Sequence, residues 1–282
     1  MRPNYRRACQ LLFVCVALQA APMVRAETLA LEAPRAVAAL EQGLAAEQGI
    51  GLRRNARLAI RLYCDAAIMG SAEGFFRIGR VLLRGPVHLR NPALANAYFA
   101  QAAQLDHPAA PEYFDETIPF APLERDCSGL EPGLAGEPFD IDGYLSALSP
   151  ERRRVAELIR IHAARYGVEV RIALAIALAE SNLDSQAVSP KNAQGVMQLI
   201  PVTQQRFGVK NPFDAESNIK GGLAYLKWLK LRFADDWELI VAAYNAGEGA
   251  VEKHGGIPRY RETEDYVKRV MLLAGFAARR GI

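Results

Sequence analysis

The chain has 282 residues, 51% of them apolar and 23% charged, with a formal net charge of +3. Wholesale disorder is excluded at that composition, and the length leaves room for two folded domains. The four histidines and four cysteines never fall at metal-ligand spacing and form no CxxC, so no metal and no cofactor is expected.

In chain order, Arg2, Arg6 and Arg7 precede an apolar run from Leu11 to Leu18, and Val24-Arg25-Ala26 offers small side chains for a processing site. Residues 1–26 therefore read as a secretory signal peptide, because the run is far short of the roughly 20 apolar residues a bilayer requires. Export to the periplasm follows, with no stable membrane anchor after cleavage. Cys9 and Cys15 fall inside this segment and lack a lipid-attachment context. Its four arginines also account for the basic balance: without them the formal charge is −1. Residues 151–282 still carry 20 basic and 15 acidic side chains, a mixed surface that gives no case for nucleic acid. Cys64 and Cys127 survive processing. An even count in an oxidising compartment permits one disulfide, and two separate buried thiols fit equally well.

A repeat follows. Arg54-Asn55-Ala56-Arg57-Leu58-Ala59 is echoed 36 positions later by Arg90-Asn91-Pro92-Ala93-Leu94-Ala95, and Tyr63 by Phe99. Alanines beside aromatics at helical spacing suit stacked helix pairs. Residues 38–112 resemble Sel1-like repeats, relatives of the tetratricopeptide family, which implies a short α-solenoid over 27–112. Such a stretch either presents a surface to a protein partner or simply supports its neighbour. Scattered Pro and Gly then mark residues 113–149 as a connector. Ser149-Pro150 restarts helical structure as N-cap and first-turn proline, His162 falls on the apolar stripe of that helix as a core residue, and Gly167 ends it. No later stretch alternates as a strand does, so residues 150–282 are expected to be all-α.

Residues 171–179 are apolar on nearly every side after Arg171, which implies a buried helix, and Glu180 follows directly. A carboxylate at the end of such a helix is partly desolvated, and desolvation favours the protonated form that a general acid needs. From the helix alone, an acid pointing into water is the simpler reading.

The segments that follow reverse that preference. They are Ser181, Ala187-Val188-Ser189-Pro190, Gly195-Val196-Met197-Gln198-Leu199-Ile200-Pro201, Ala243-Tyr244-Asn245-Ala246-Gly247, and a last cluster from Gly255 to Val267 that contains Tyr266. In this order and spacing they resemble the catalytic domain of family 1 lytic transglycosylases, over about residues 156–275. The resemblance implies a lysozyme-like helical fold whose groove takes peptidoglycan glycan strands and cleaves the β-1,4 bond between N-acetylmuramic acid and N-acetylglucosamine, leaving 1,6-anhydro ends. It implies Glu180 as the single catalytic acid and base, with Ser189, Gln198, Tyr244 and Asn245 along the groove, Met197 as an apolar floor, and Tyr266 donating to the carboxylate. Asn192 and Val196 stand where glycine and leucine are frequent, and neither change disturbs the pattern. Asp184 reads as a turn or capping residue, and Glu248 as peripheral. A hydrolytic muramidase on the same fold is the alternative and would need a second acid; a non-catalytic glycan-binding scaffold would have no need of Glu180.

Overall fold

Asn55 and Asn91 do the same work in two helices of the first half. Each accepts a hydrogen bond on its side-chain oxygen from the backbone N–H three residues on, Leu58 and Leu94 respectively, which is the N-cap arrangement. The helices they start, α2 (Ala56–Ile68) and α4 (Pro92–Gln104), are both 13 residues long. Their ends also match: Ser71 N–H donates to Ala66 and His107 N–H to Ala102. The repeated residues are thus the caps and the alanines that let neighbours approach. The computed structural model describes residues 33–119, 121–123, 127 and 139–276. The expected signal peptide lies outside them.

Helix α1 (Pro34–Gln48) packs on α2, which packs on α3 (Ala72–Arg84), which packs on α4. Ser71 caps α3 by accepting from Gly74. Close approach relies on glycine: a Cβ on Gly43 would lie 2.6 Å from the Tyr63 ring, and one on Gly79 would lie 2.7 Å from Phe99. The short α5 (Ala110–Tyr113) completes this half, where Phe99, Tyr113 and His107 pack around the Phe76 ring. Cys64 of α2 and Cys127 are joined in a disulfide, with α-carbons 6.4 Å apart.

One expectation needs correction. Residues 113–149 are not solely a connector, because Ile141–Ala147 forms helix α6. Asp140 caps it through Gly143 N–H, and Ile141, Tyr144 and Leu145 bury one face. Gly143, a helix-weakening residue in the sequence, is where α6 meets the α1–α2 loop: a Cβ there would lie 2.4 Å from the Gly51 carbonyl. The glycine therefore serves a backbone contact rather than a turn.

The remaining helices are α7 (Pro150–Tyr166), α8 (Val170–Ser181), α9 (Pro201–Arg206), α10 (Ala215–Arg232), α11 (Trp237–Ala246), α12 (Glu248–His254) and α13 (Arg261–Ala274). Ser149 caps α7, Gly167 ends it with φ +67°, and His162 is buried against Glu216. Helix α13 starts at Arg261. The all-α expectation is met among the described residues, where β structure is limited to isolated bridges from Gln194 to Val188 and Leu199. No helix among them is long and apolar enough to cross a membrane.

Helix α8 is the hub. Every residue from Ile172 to Ser181 is buried, with α1, α7 and α13 packed around it. Arg35 and Gln42 of α1 reach α8 directly, so the first helix of the repeat region is built into the same core as the second half. The described residues accordingly form one compact unit.

Candidate active site

Glu180 occupies the last turn of α8 and is 0% exposed. The helix cannot continue beyond Ser181 because Asn182 and Leu183 take left-handed backbone conformations, φ +50° and +68°. Ser181 then pins the turn to the following loop by donating to the Val196 carbonyl at 2.8 Å.

That loop, residues 187–199, is shaped by its own polar groups. Ser189 Oγ accepts from Ala193 N–H, and Asn192 sits at φ +59°, a conformation asparagine tolerates. Gly195, at φ +74°, lies so close to the Pro212 carbonyl that a Cβ would approach it to 2.2 Å. Gln198 donates to the carbonyls of Ala187 and Gly195 at 3.0 and 2.9 Å. Its amide nitrogen is therefore committed to holding the loop, although the residue lines the cavity.

A cavity of about 1110 Å³ opens over Glu180. Five residues expected at the groove line it together with Glu180: Ser189, Gln198, Tyr244, Asn245 and Tyr266. Met197 does not. Its side chain is fully buried beneath the wall, packed so closely on α10 that a Cβ on Gly222 would lie 2.7 Å from its sulfur. What Met197 contributes is backbone: its N–H donates to Asn218, and its carbonyl accepts from the Tyr244 hydroxyl at 2.8 Å. An apolar side chain in a groove motif reads equally as floor or as foundation, and here it is foundation.

Three hydrogen bonds converge on the Glu180 carboxylate. The Tyr266 hydroxyl donates to Oε1 at 2.7 Å. Arg35 donates from Nη2 to Oε1 at 2.8 Å and from Nε to Oε2 at 2.7 Å. Burial, and next the nearby Glu180 charge, raise the Tyr266 phenol well above its ordinary range, and the same two causes raise Tyr244. Both phenols are therefore hydroxyl donors throughout the neutral range. Burial works against the charge on Arg35, but Glu180, Tyr266 and Glu262 together hold it more firmly protonated than a free arginine.

Asn245 accepts from the Thr263 hydroxyl at 2.8 Å, while its buried Nδ2 has no partner. A buried amide donor without a partner is costly, and such a group in a cavity-lining residue suits a ligand carbonyl. Asp184 accepts from Gln186 N–H in a local turn, and Glu248 pairs with Arg206 and Tyr225. Neither lines the cavity. Glu262, Asp265 and Asp65 do line it. They, with Arg35 and Arg269, are among the polar wall residues the sequence did not single out. Arg35 lies 145 positions before its partner, in an alanine-rich helix with no motif to mark it.

Residues 157–267 match the family model of the transglycosylase SLT domain. This SLT segment contains Glu180 and every cavity residue expected from the sequence, and it excludes Arg35. The membrane-bound lytic murein transglycosylase F 1 of Alkalilimnicola ehrlichii is 37% identical over 105 residues, covering 35% of this chain and 21% of that protein. The membrane-bound lytic murein transglycosylase F of Desulfosudis oleivorans is 39% identical over 119 residues, 40% of this chain and 26% of that protein. Membrane-bound lytic murein transglycosylase D of Escherichia coli is 33% identical over 116 residues, 34% and 26%. The chain thus spans about a quarter of the length of these relatives. Among solved structures, an inactive mutant of the lytic transglycosylase Slt from Pseudomonas aeruginosa superposes with a TM-score of 0.41 at 22% identity, covering 87% of this chain and 37% of that one.

Proposed function

We propose that this protein is a peptidoglycan lytic transglycosylase of the periplasm, and that Glu180 supplies both its acid and its base. The observation that carries the reading is the buried Glu180 carboxylate, at the floor of a large cavity and hydrogen-bonded by Tyr266, within a segment that matches the SLT domain.

The chemistry follows from one carboxyl used twice. Protonated Glu180 gives its proton to the glycosidic oxygen as the C1–O bond breaks, and the N-acetylglucosamine alcohol departs. The muramoyl C6 hydroxyl then attacks C1 from within the same sugar. Glu180, now the carboxylate, takes that hydroxyl's proton, which closes the 1,6-anhydro ring and regenerates the acid. Water is not consumed, so no second carboxylate is required to activate it. Tyr266 suits both states, because a phenol donates to the carboxylate and accepts from the acid. In this reading the partnerless Asn245 Nδ2 donates to a sugar acetamido carbonyl, supported by its lack of a protein partner and by Ser189 and Tyr244 on the same cavity wall.

The experiment is digestion of purified sacculi followed by mass spectrometry of the released muropeptides. Anhydro ends are expected from the natural chain and none from Glu180→Gln, which removes the titrating group and keeps the side-chain shape. Products that all carry reducing muramic acid would make the enzyme a hydrolase, and undiminished release by Glu180→Gln would remove the residue from the mechanism.

A further inference from the structure

The Arg35 guanidinium is fixed by what surrounds it. Its helix is held by Gln42, which donates to the Leu178 carbonyl at 2.9 Å, and its own carbonyl accepts from Arg269 at 2.9 Å. The guanidinium stacks over the Tyr266 ring at 4.7 Å and is 25% exposed at the cavity. Beyond Glu180 it has a second acidic neighbour: Nη1 lies 3.4 Å from Oε1 of Glu262, which is 58% exposed on the rim.

A guanidinium gripping both oxygens opposes each half of the chemistry proposed above. It holds both carboxyl oxygens in charge-assisted hydrogen bonds, so neither is free to bring a proton to the glycosidic oxygen. It also occupies the lone pairs that would take the C6 hydroxyl's proton. With Tyr266 on Oε1 as well, neither oxygen of Glu180 is left unengaged.

We propose that Arg35 is a gate on the active-site acid, a positioning residue contributed by α1 that holds both oxygens of Glu180 engaged until it swings to Glu262 as saccharide enters. The swing is short because Glu262 already lies within reach of the second terminal nitrogen. Around the pair stand Tyr266, Arg269 and Glu262 from α13, Tyr244 from α11, and Lys191, whose Nζ lies 3.5 Å from Oε2 of Glu262. Asp65, Asp265 and Arg261 line the same cavity. Besides Glu180, Glu262 is the acid within reach of Arg35. The gate rests on the transglycosylase reading for its consequence, but not for its detection.

The test compares the natural chain with Arg35→Gln and Glu262→Gln. Each is assayed on sacculi from pH 4 to 9, and the Glu180 carboxyl is followed by carbon-13 NMR, its resonance assigned by loss in Glu180→Gln. Arg35→Gln is expected to raise kcat/KM at pH 7 by about tenfold, to shift the alkaline limb upward by about one pH unit, and to move the Glu180 titration to higher pH by a matching amount. Glu262→Gln removes the second seat and is expected to lower kcat about threefold, the factor that corresponds to about half a pH unit. A folded Arg35→Gln whose activity falls while its alkaline limb and Glu180 titration stay in place would overturn the gate and leave Arg35 a structural residue. Should Arg35→Gln not fold, Arg35→Lys keeps the charge without the two-oxygen grip, and the same shifts at smaller size are expected; unchanged profiles there overturn the proposal equally. If neither the natural chain nor any variant releases muropeptides while the Glu180 titration still moves, the transglycosylase reading has failed and the Arg35 grip stands.

Discussion

Gln42 of α1 donates to the carbonyl of Leu178, two residues before Glu180, and also to the Asn182 side chain just after it, at 2.9 and 3.3 Å. Its own oxygen accepts from Arg269 at 3.1 Å. The residue is 0% exposed, so one side chain ties the acid's helix, the turn that ends it and a buried cation on α13. Gln42→Leu keeps the volume but leaves these polar groups without their partner. It is expected to cost about 3 kcal/mol in urea unfolding.

Tyr266→Phe isolates one hydrogen bond. Unlike Arg35, the phenol serves the acid and the carboxylate alike, so its loss should lower kcat at every pH, by about tenfold for one buried bond to a charged group. KM and the melting temperature should change little. An unaltered kcat in a well-folded Tyr266→Phe would show that the bond is not used in the reaction.

Asn245→Asp exchanges the free buried donor for an acceptor while keeping the oxygen that receives the Thr263 hydroxyl. Glycan affinity, measured by calorimetry with muropeptides in the Glu180→Gln background, is expected to weaken about tenfold, the worth of one misplaced buried hydrogen bond. Equal affinity would place the acetamido group elsewhere.

Glu73 gives a pH prediction in the other half of the molecule. Burial alone would raise its carboxyl, but hydrogen bonds from His107 and Arg77 overcome this and hold it at about 2, below the ordinary 4.5. A folded-state value below the unfolded one contributes stability that is present above pH 4.5 and is lost as pH falls from 4.5 toward 2. Glu73→Gln is therefore expected to cost about 1–2 kcal/mol at pH 7, after allowance for partial solvent screening. Against the natural chain, the difference should fade in thermal melts taken below pH 4.5.

The SLT segment was legible because its site residues belong to ordered local motifs: Glu180 ends an apolar run, and Ser189, Tyr244, Asn245 and Tyr266 each sit in a short recognisable stretch. The start of α7 was legible for the same local reason, since Ser149 is a cap whose partner lies three residues away. What escaped depends on distance in sequence. Arg35 acquires meaning only when α1 is laid on α8, and Met197 is foundation rather than floor only because Gly222 makes room beneath it. Helix α6 was hidden by Gly143, whose lack of a side chain answers Gly51 rather than a local turn.

The seam between α1 and α8 bears on how such a chain changes over time. Asn182 donates to Glu41, Arg152 grips the same carboxylate at 2.6 Å, and Tyr144 donates to Asn182 at 3.0 Å. A graft of residues 157–267 alone onto a foreign leader would leave these side chains facing strangers, so the segment is not a portable cassette. Substitutions at Glu41 and Gln42 are expected to be answered at Arg152, Asn182 and Arg269, so that the ancestry of the acid's helix is recorded partly in a helix more than a hundred residues upstream.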